Sequence, residues 1–233
     1  MATLTWPASL EPASLTWHLE PNTGSFTSPL TRFTQTTEMA GARWVADLTI
    51  KTMSPARWRA WTAFLAQLRG QSGRVYVSPW HYDGELAPLY AVGTGPTADD
   101  TSPTADSTTP TADSGYPSSL GTPVVHGASQ AGASLITRGW TPAMPIAAAG
   151  SFFHYDTSTG RTLHMVVADV EADASGHATL TIEPPIRTAP ADGAALEIAA
   201  PSCIMRLESD KDGAPSFMPG IFGSATVRLI EAF

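Results

Sequence analysis

The chain carries a single cysteine, Cys203, among 233 residues, so no disulfide can close within it and a cystine-stapled fold is excluded. That usage fits synthesis in a reducing cytosol. Charge is scarce too: Asp, Glu, Lys and Arg make up 15% of the chain, which excludes a coiled coil and a chain disordered throughout. Basic residues are the rarer sign. Lys and Arg number 13 against 21 Asp and Glu, and the net charge of −8 argues against a surface that tracks nucleic-acid phosphates. No run of about 18 apolar residues is present, so no membrane span is expected. The start, Met1-Ala2-Thr3-Leu4-Thr5-Trp6-Pro7, lacks the basic and apolar stretches of a signal peptide. What is present is a chain with 42% hydrophobic residues, enough for one large β domain or two small ones.

Catalytic signatures are also missing. Gly127-Ala128-Ser129-Gln130-Ala131-Gly132 has the wrong spacing for a nucleophile elbow, and there is no His-Glu-x-x-His, Cys pair or phosphate loop. His81, Asp83 and Glu85 alternate, but Pro79 and Gly84 around them favour a turn over a metal-binding strand. Asp210-Lys211-Asp212-Gly213 begins like a calcium loop and lacks the third acidic position and the distal Glu, so a polar hairpin turn is expected. His154 and Asp156 have the types of a base and its orienter, yet no nucleophile is placed beside them. Cys203 sits in the alternating run Cys203-Ile204-Met205-Arg206-Leu207, where a small buried hydrophobe is expected. No catalytic, cofactor or metal residue is assigned, and the chain is expected not to be an enzyme.

The first eighty residues are more informative. Trp44, Ala46, Leu48 and Ile50 alternate with Val45, Asp47, Thr49 and Lys51, the period of a half-buried strand. A helix over 54–69 follows: Ser54 caps it, Pro55 opens its first turn, and Gly70 supplies the left-handed stop. Trp58, Trp61, Leu65 and Leu68 recur at helical spacing and are expected to pack on the sheet. Arg74-Val75-Tyr76-Val77 begins another strand that ends at Pro79.

These residues carry a resemblance. Asn22-Thr23-Gly24-Ser25-Phe26-Thr27-Ser28-Pro29-Leu30, Gln35-Thr36, Gly41-Ala42-Arg43-Trp44, the capped helix with Phe64-Leu65-Ala66-Gln67-Leu68-Arg69-Gly70, and Gly73-Arg74 resemble the N-terminal part of distal tail proteins of long-tailed bacteriophages and related gene transfer particles. A second block is similar too: Gly139-Trp140, Ala149-Gly150-Ser151-Phe152-Phe153 and Ala174-Ser175-Gly176-His177 through Pro184-Pro185. The resemblance implies a tail-tip ring, sixfold, joining the tail tube to the hub or host-binding fibres. It implies the partners as well: other copies of the chain, the tube protein, and hub and fibre proteins. The location implied is the virion tail tip, after synthesis in the host cytoplasm.

Residues 91–120 break the pattern. Three copies of Pro-Thr-Ala-Asp start at Pro96, Pro103 and Pro110, and repeated proline with almost no apolar residue reads as linker. From Gly121 short strands and turns resume, with Ala178, Leu180 and Ile182 alternating before Pro184-Pro185. Met205-Arg206-Leu207 and Ala225 to Ile230 are strands in need of a sheet. The fold expected is therefore mainly β: residues 1–90 with 202–233 form a β-sheet domain with one packed α-helix, and 121–201 form an inserted small β-barrel or sandwich.

Tryptophans at alternating or helical spacing, namely Trp17, Trp44, Trp58 and Trp61, read as packing. Trp80 and Trp140, each beside a proline, and Tyr155 are the candidates for a glycan or subunit contact. A carbohydrate-binding module for host-surface glycans is accordingly the alternative to the ring protein, and a hydrolase with an unrecognised acidic pair is the third class.

Overall fold

The computed structural model describes residues 3–79, 120–217 and 223–232. In chain order these hold β1 (Leu4–Thr5), β2 (Ser14–Glu20), β3 (Thr23–Thr27), β4 (Thr34–Glu38), β5 (Arg43–Met53), α1 (Pro55–Leu68) and β6 (Val75–Val77). Then come β7 (Gly121–Val125), β8 (Gly132–Trp140), β9 (Pro145–Ala147), β10 (Phe152–Thr157), β11 (Gly160–Val166), β12 (Val170–Glu171) and β13 (His177–Ile186). The last three are β14 (Cys203–Leu207), β15 (Ser216–Phe217) and β16 (Gly223–Glu231). The protein is mainly β: the described residues are 49% strand and 9% helical, with a single α-helix among them and a sheet curled into a half-barrel. It divides into two compact units, residues 1–79 with 202–233 and residues 80–201. The Pro-Thr-Ala-Asp repeats, Trp80, His81, Asp83 and Glu85 lie outside the described residues, whereas Leu120 is buried in the second unit.

The main sheet of the first unit has the order β1-β6-β14-β16-β5-β2, with β15 paired to β16. Paired residues share a face, so the registers define a continuous apolar side: Leu15, Trp17 and Leu19 on β2; Trp44, Ala46, Leu48 and Ile50; then Ala225, Val227 and Leu229; then Cys203, Met205 and Leu207; then Val75 and Val77. Burial is deepest in the middle strands and only partial on the edge strand β2. The other face is mixed: Val45 and Ile230 are buried on it, and beside them Arg228 stands 3.1 Å from Glu208 and 3.9 Å from both Glu20 and Asp47. Arg43 donates to Glu20 at 2.8 Å, and that hydrogen bond is the main cause that lowers the Glu20 pKa.

Helix α1 covers the apolar side. Ser54 is extended and its hydroxyl accepts from the Arg57 N–H, as a cap should, with Pro55 at the first turn. Two details of the sequence expectation change. The fully buried positions are Trp61, Phe64 and Leu68, while Trp58 and Leu65 sit half-buried at the margins. The left-handed conformation also begins one residue early, at Arg69 with φ 53°, and continues at Gly70 with φ 69° into a 3-10 turn, Gly70–Ser72. A methyl group on Gly70 would collide with the Asp210 carboxylate, which accepts the Gln71 N–H at 2.8 Å. Gly70→Ala is therefore expected to cost about 1–2 kcal/mol in thermal or urea unfolding, from strained φ together with that clash.

The second unit has a five-stranded sheet in the order β10-β11-β13-β8-β7. Its two edges are both met by one extended segment. Ala195 bridges Val124 on β7, and Glu197 bridges His154 on β10 through paired main-chain bonds of 2.9 and 3.0 Å. Tying the first edge to the last in this way gives the sheet a closed, barrel-like interior, which Val125, Leu135, Phe153, Leu180 and Ile182 fill.

Candidate functional site

The pairing of β2 with β5 ends at Glu20 and Arg43. The chain between them, after a break at each end and a change of register, forms the two-stranded ribbon β3–β4, which pairs with nothing else among the described residues. Asn22 marks the join: its side chain donates to the Ala40 carbonyl at 2.8 Å, and its own carbonyl accepts from Met39 N–H. The distal turn is fixed by Ser28, whose N–H donates to the Phe33 carbonyl and whose carbonyl accepts from Arg32.

Register sorts the ribbon into two unlike faces. Phe26 opposes Gln35 and Gly24 opposes Thr37, so the odd positions of β4 and the even ones of β3 lie together. Phe33 and Met39 extend that face at either end of β4, and the Met39 side chain lies over Gly24. Thr23, Ser25, Thr27, Thr34 and Thr36 occupy the other face, with Thr27 and Thr34 hydroxyls 3.1 Å apart. Phe26 is 66% exposed, Phe33 71%, Met39 47%, and Leu30 in the turn 93%. An isolated two-stranded ribbon is marginal in water, and aromatic side chains that far into solvent are the usual mark of a contact surface. The sequence signal was available in the alternation, but without the register the Phe positions cannot be told from core positions.

The aromatic residues singled out from sequence are placed differently. Trp140 is 3% exposed: its indole N–H donates to the Thr137 hydroxyl at 2.7 Å, which in turn donates to the Ala178 carbonyl. Its position beside a proline suggested a surface loop, and the correction has a local cause. Leu135 and Thr137 point inward, so strict alternation would turn Trp140 outward; Gly139, at φ 87°, breaks the alternation and swings Trp140 into the core. Tyr155 is fully buried, stacked on His164 with ring centroids 5.1 Å apart, and burial pushes its phenol pKa up. Neither ring presents a face to a glycan or a neighbour. Trp80 lies outside the described residues.

His154 and Asp156 do not form a working pair either. Asp156 is held by Arg161 at 2.9 Å, the chief reason its pKa is lowered, while His154 is buried and driven down to about 4, chiefly by desolvation. Asp210 and Asp212 accept from the main-chain N–H groups of Gln71 and Ser209, each at 2.8 Å, and so build a turn. Cys203 is buried. Among the described residues no group of three or more His, Cys, Asp or Glu is placed to hold a metal, and no helix is long and apolar enough to cross a membrane. An open hollow of about 420 Å³ beside β8, β12 and β13 is lined by Ile136, Glu171, Asp173, His177 and Thr179. Asp173 there is committed to the N–H groups of His177 and Ser175, both at 2.8 Å, which hold its carboxyl below the usual range.

No known protein family matches this chain, and no curated protein is similar to it.

Proposed function

We propose that the chain is a structural component of a phage tail tip, forming a ring that joins the tail tube to the hub or to host-binding fibres. The observation that carries this reading is the amphipathic ribbon 22–40, which exposes Phe26, Leu30 and Phe33 where nothing in the described chain covers them. A surface of that kind is suited to a protein partner. The residue runs that resemble distal tail proteins include the same ribbon, from Asn22 to Leu30 and Gln35-Thr36. Among the described residues the sheet also has two edge strands with no further partner, β1 and β2, and symmetric assembly is a common way to cover such edges. The role is architectural rather than catalytic, and its place is the virion.

The test is mass measurement of the purified chain together with electron microscopy of the intact particle. A sixfold ring, as the resemblance implies, has about six times the 24.5 kDa of one chain. Antibody labelling is expected at the tail tip. A chain that is monomeric at every concentration and absent from the particle overturns the reading.

A further inference from the structure

We propose that the segment closing the second unit is a releasable strap: in acid, residues 197–200 let go of β10 at His154 while residues 192–196 stay on β7, leaving β10 as an open sheet edge.

The two ends of the strap are held unequally. At β7 the Val125 N–H donates to the Ala194 carbonyl at 2.9 Å, and the Gly193 and Leu196 N–H groups donate to the Val125 and Pro123 carbonyls at 3.0 Å. Leu196 is buried there, and the Asp192 carboxylate accepts the Gly127 N–H at 2.8 Å and stands 3.6 Å from Arg138. At β10 two main-chain bonds, both with His154, make the join. Beyond Leu196 only Ile198 is partly buried against the core. Glu197, Ala199 and Ala200 are exposed, and the Glu197 carboxylate accepts the N–H groups of the two alanines at 3.0 Å. Local opening starts where the fewest buried contacts hold a segment, which here is the β10 end. Strand β10 is also the last of its sheet, so its outer side pairs with nothing but the strap among the described residues.

The weaker join is the one that senses protons. The His154 ring is 4% exposed. Charged groups reach it from three elements: Asp156 on β10 itself, Arg161 on β11 and Glu197 on the strap. Desolvation and, next, Arg161 push its pKa down from 6.5 to about 4, against the upward pull of Asp156 and Glu197. Parting the seam frees the His154 main chain on that side and admits water beside the ring, which then takes up a proton near its ordinary value. Each pH unit below 6.5 therefore favours the open form. Asp192 behaves oppositely: its carboxyl lies below the ordinary 3.8, chiefly through the Gly127 N–H, so it stays ionised across this range and keeps the β7 end in place.

Amide hydrogen exchange of the full chain, followed by NMR and corrected for the intrinsic rate at each pH, tests this. The His154 and Glu197 N–H groups are expected to lose protection about thirtyfold from pH 7.5 to pH 5, the factor set by a proton taken up near 6.5 in the open form and near 4 in the closed one. The Val125 and Leu196 N–H groups, at the anchored end, are expected to stay better protected than both at every pH. His154→Gln, which keeps the main-chain bonds and cannot charge, is expected to abolish the response at Glu197, and His164→Gln to leave it in place. Equal protection at the two ends with a common pH response would mean that the unit opens as a whole, and overturns the proposal. So does a seam whose protection is the same at pH 7.5 and pH 5, or a Glu197 amide that keeps its full response in His154→Gln.

Discussion

Trp61→Ala is expected to lower the unfolding free energy by about 3–5 kcal/mol and to leave little soluble protein. The indole on α1 is fully buried, with Trp6 and Phe64 rings 6.0 and 5.8 Å away. Its N–H donates to the Gly213 carbonyl at 2.8 Å, so truncation opens a cavity and also leaves a buried acceptor without its donor. Gly213 lies in the loop between β14 and β15, so the loss reaches from the helix to the C-terminal strands. Trp58→Ala is the internal comparison. That ring is half-buried at the helix margin, and its loss is expected to cost about 1 kcal/mol. Trp140→Ala belongs with Trp61, at about 3–5 kcal/mol, because the ring fills the core of the second unit and bonds to Thr137. Urea unfolding followed by tryptophan fluorescence and by circular dichroism separates these outcomes. Equal, mild losses at all three positions would show that neither helix packing nor the second core depends on these rings.

The three tryptophans also mark what local pattern can convey. Alternation from Trp44 to Ile50 and the cap-to-stop signals around α1 are properties of a few adjacent residues, and the structure follows them closely. The mainly β class was legible for the same reason. Which flank of the helix is deepest was not, since Phe64, rather than Trp58, meets Trp6, far off in sequence, edge to face at 5.4 Å. Trp140 escaped for a different reason. One glycine at positive φ inverts the inside–outside order, and no period-2 count can register that. The ribbon escaped through register: Phe26 and Phe33 are seven residues apart on different strands, and only the pairing of Ser28 with Phe33 puts them on one face. Local chemistry predicts elements well; it does not fix which side of an element meets water.

The second large effect expected is a loss of stability in the barrel-like unit between pH 6.5 and pH 4. His164 is buried on β11, where its Nδ1 lies 2.8 Å from the Pro184 carbonyl. That contact fixes the neutral tautomer with the proton on Nδ1, leaving Nε2 as a buried acceptor with no hydrogen-bond partner. Protonating Nε2 would place a charge and a donor where neither is answered. Burial therefore drives the His164 pKa down from 6.5 to about 4, against a smaller upward pull from the Pro184 carbonyl, and nearby Arg187 lowers it further. The unfolded chain takes up its proton near pH 6.5, the folded one only near 4. Above 6.5 both are neutral and the full stability is present. As pH falls the unfolded state gains at about 1.4 kcal/mol per unit, so about 3 kcal/mol is lost by pH 4. His154 shifts in the same direction, also to about 4, and sits at the seam where Glu197 closes the barrel. The carboxylates with lowered pKa, Asp156, Asp173 and Asp192 with ordinary values of 3.8 and Glu20 with 4.5, begin to lose their contribution only near pH 5, so the upper part of the window, from 6.5 to about 5, reports the histidines. The measurement is urea stability of wild type and His164→Gln at half-unit pH steps. The variant is expected to start less stable and to show a flatter slope across that window. Parallel curves for the two proteins would mean that His164 titrates in the fold as it does in the open chain, and that its burial does not govern acid sensitivity.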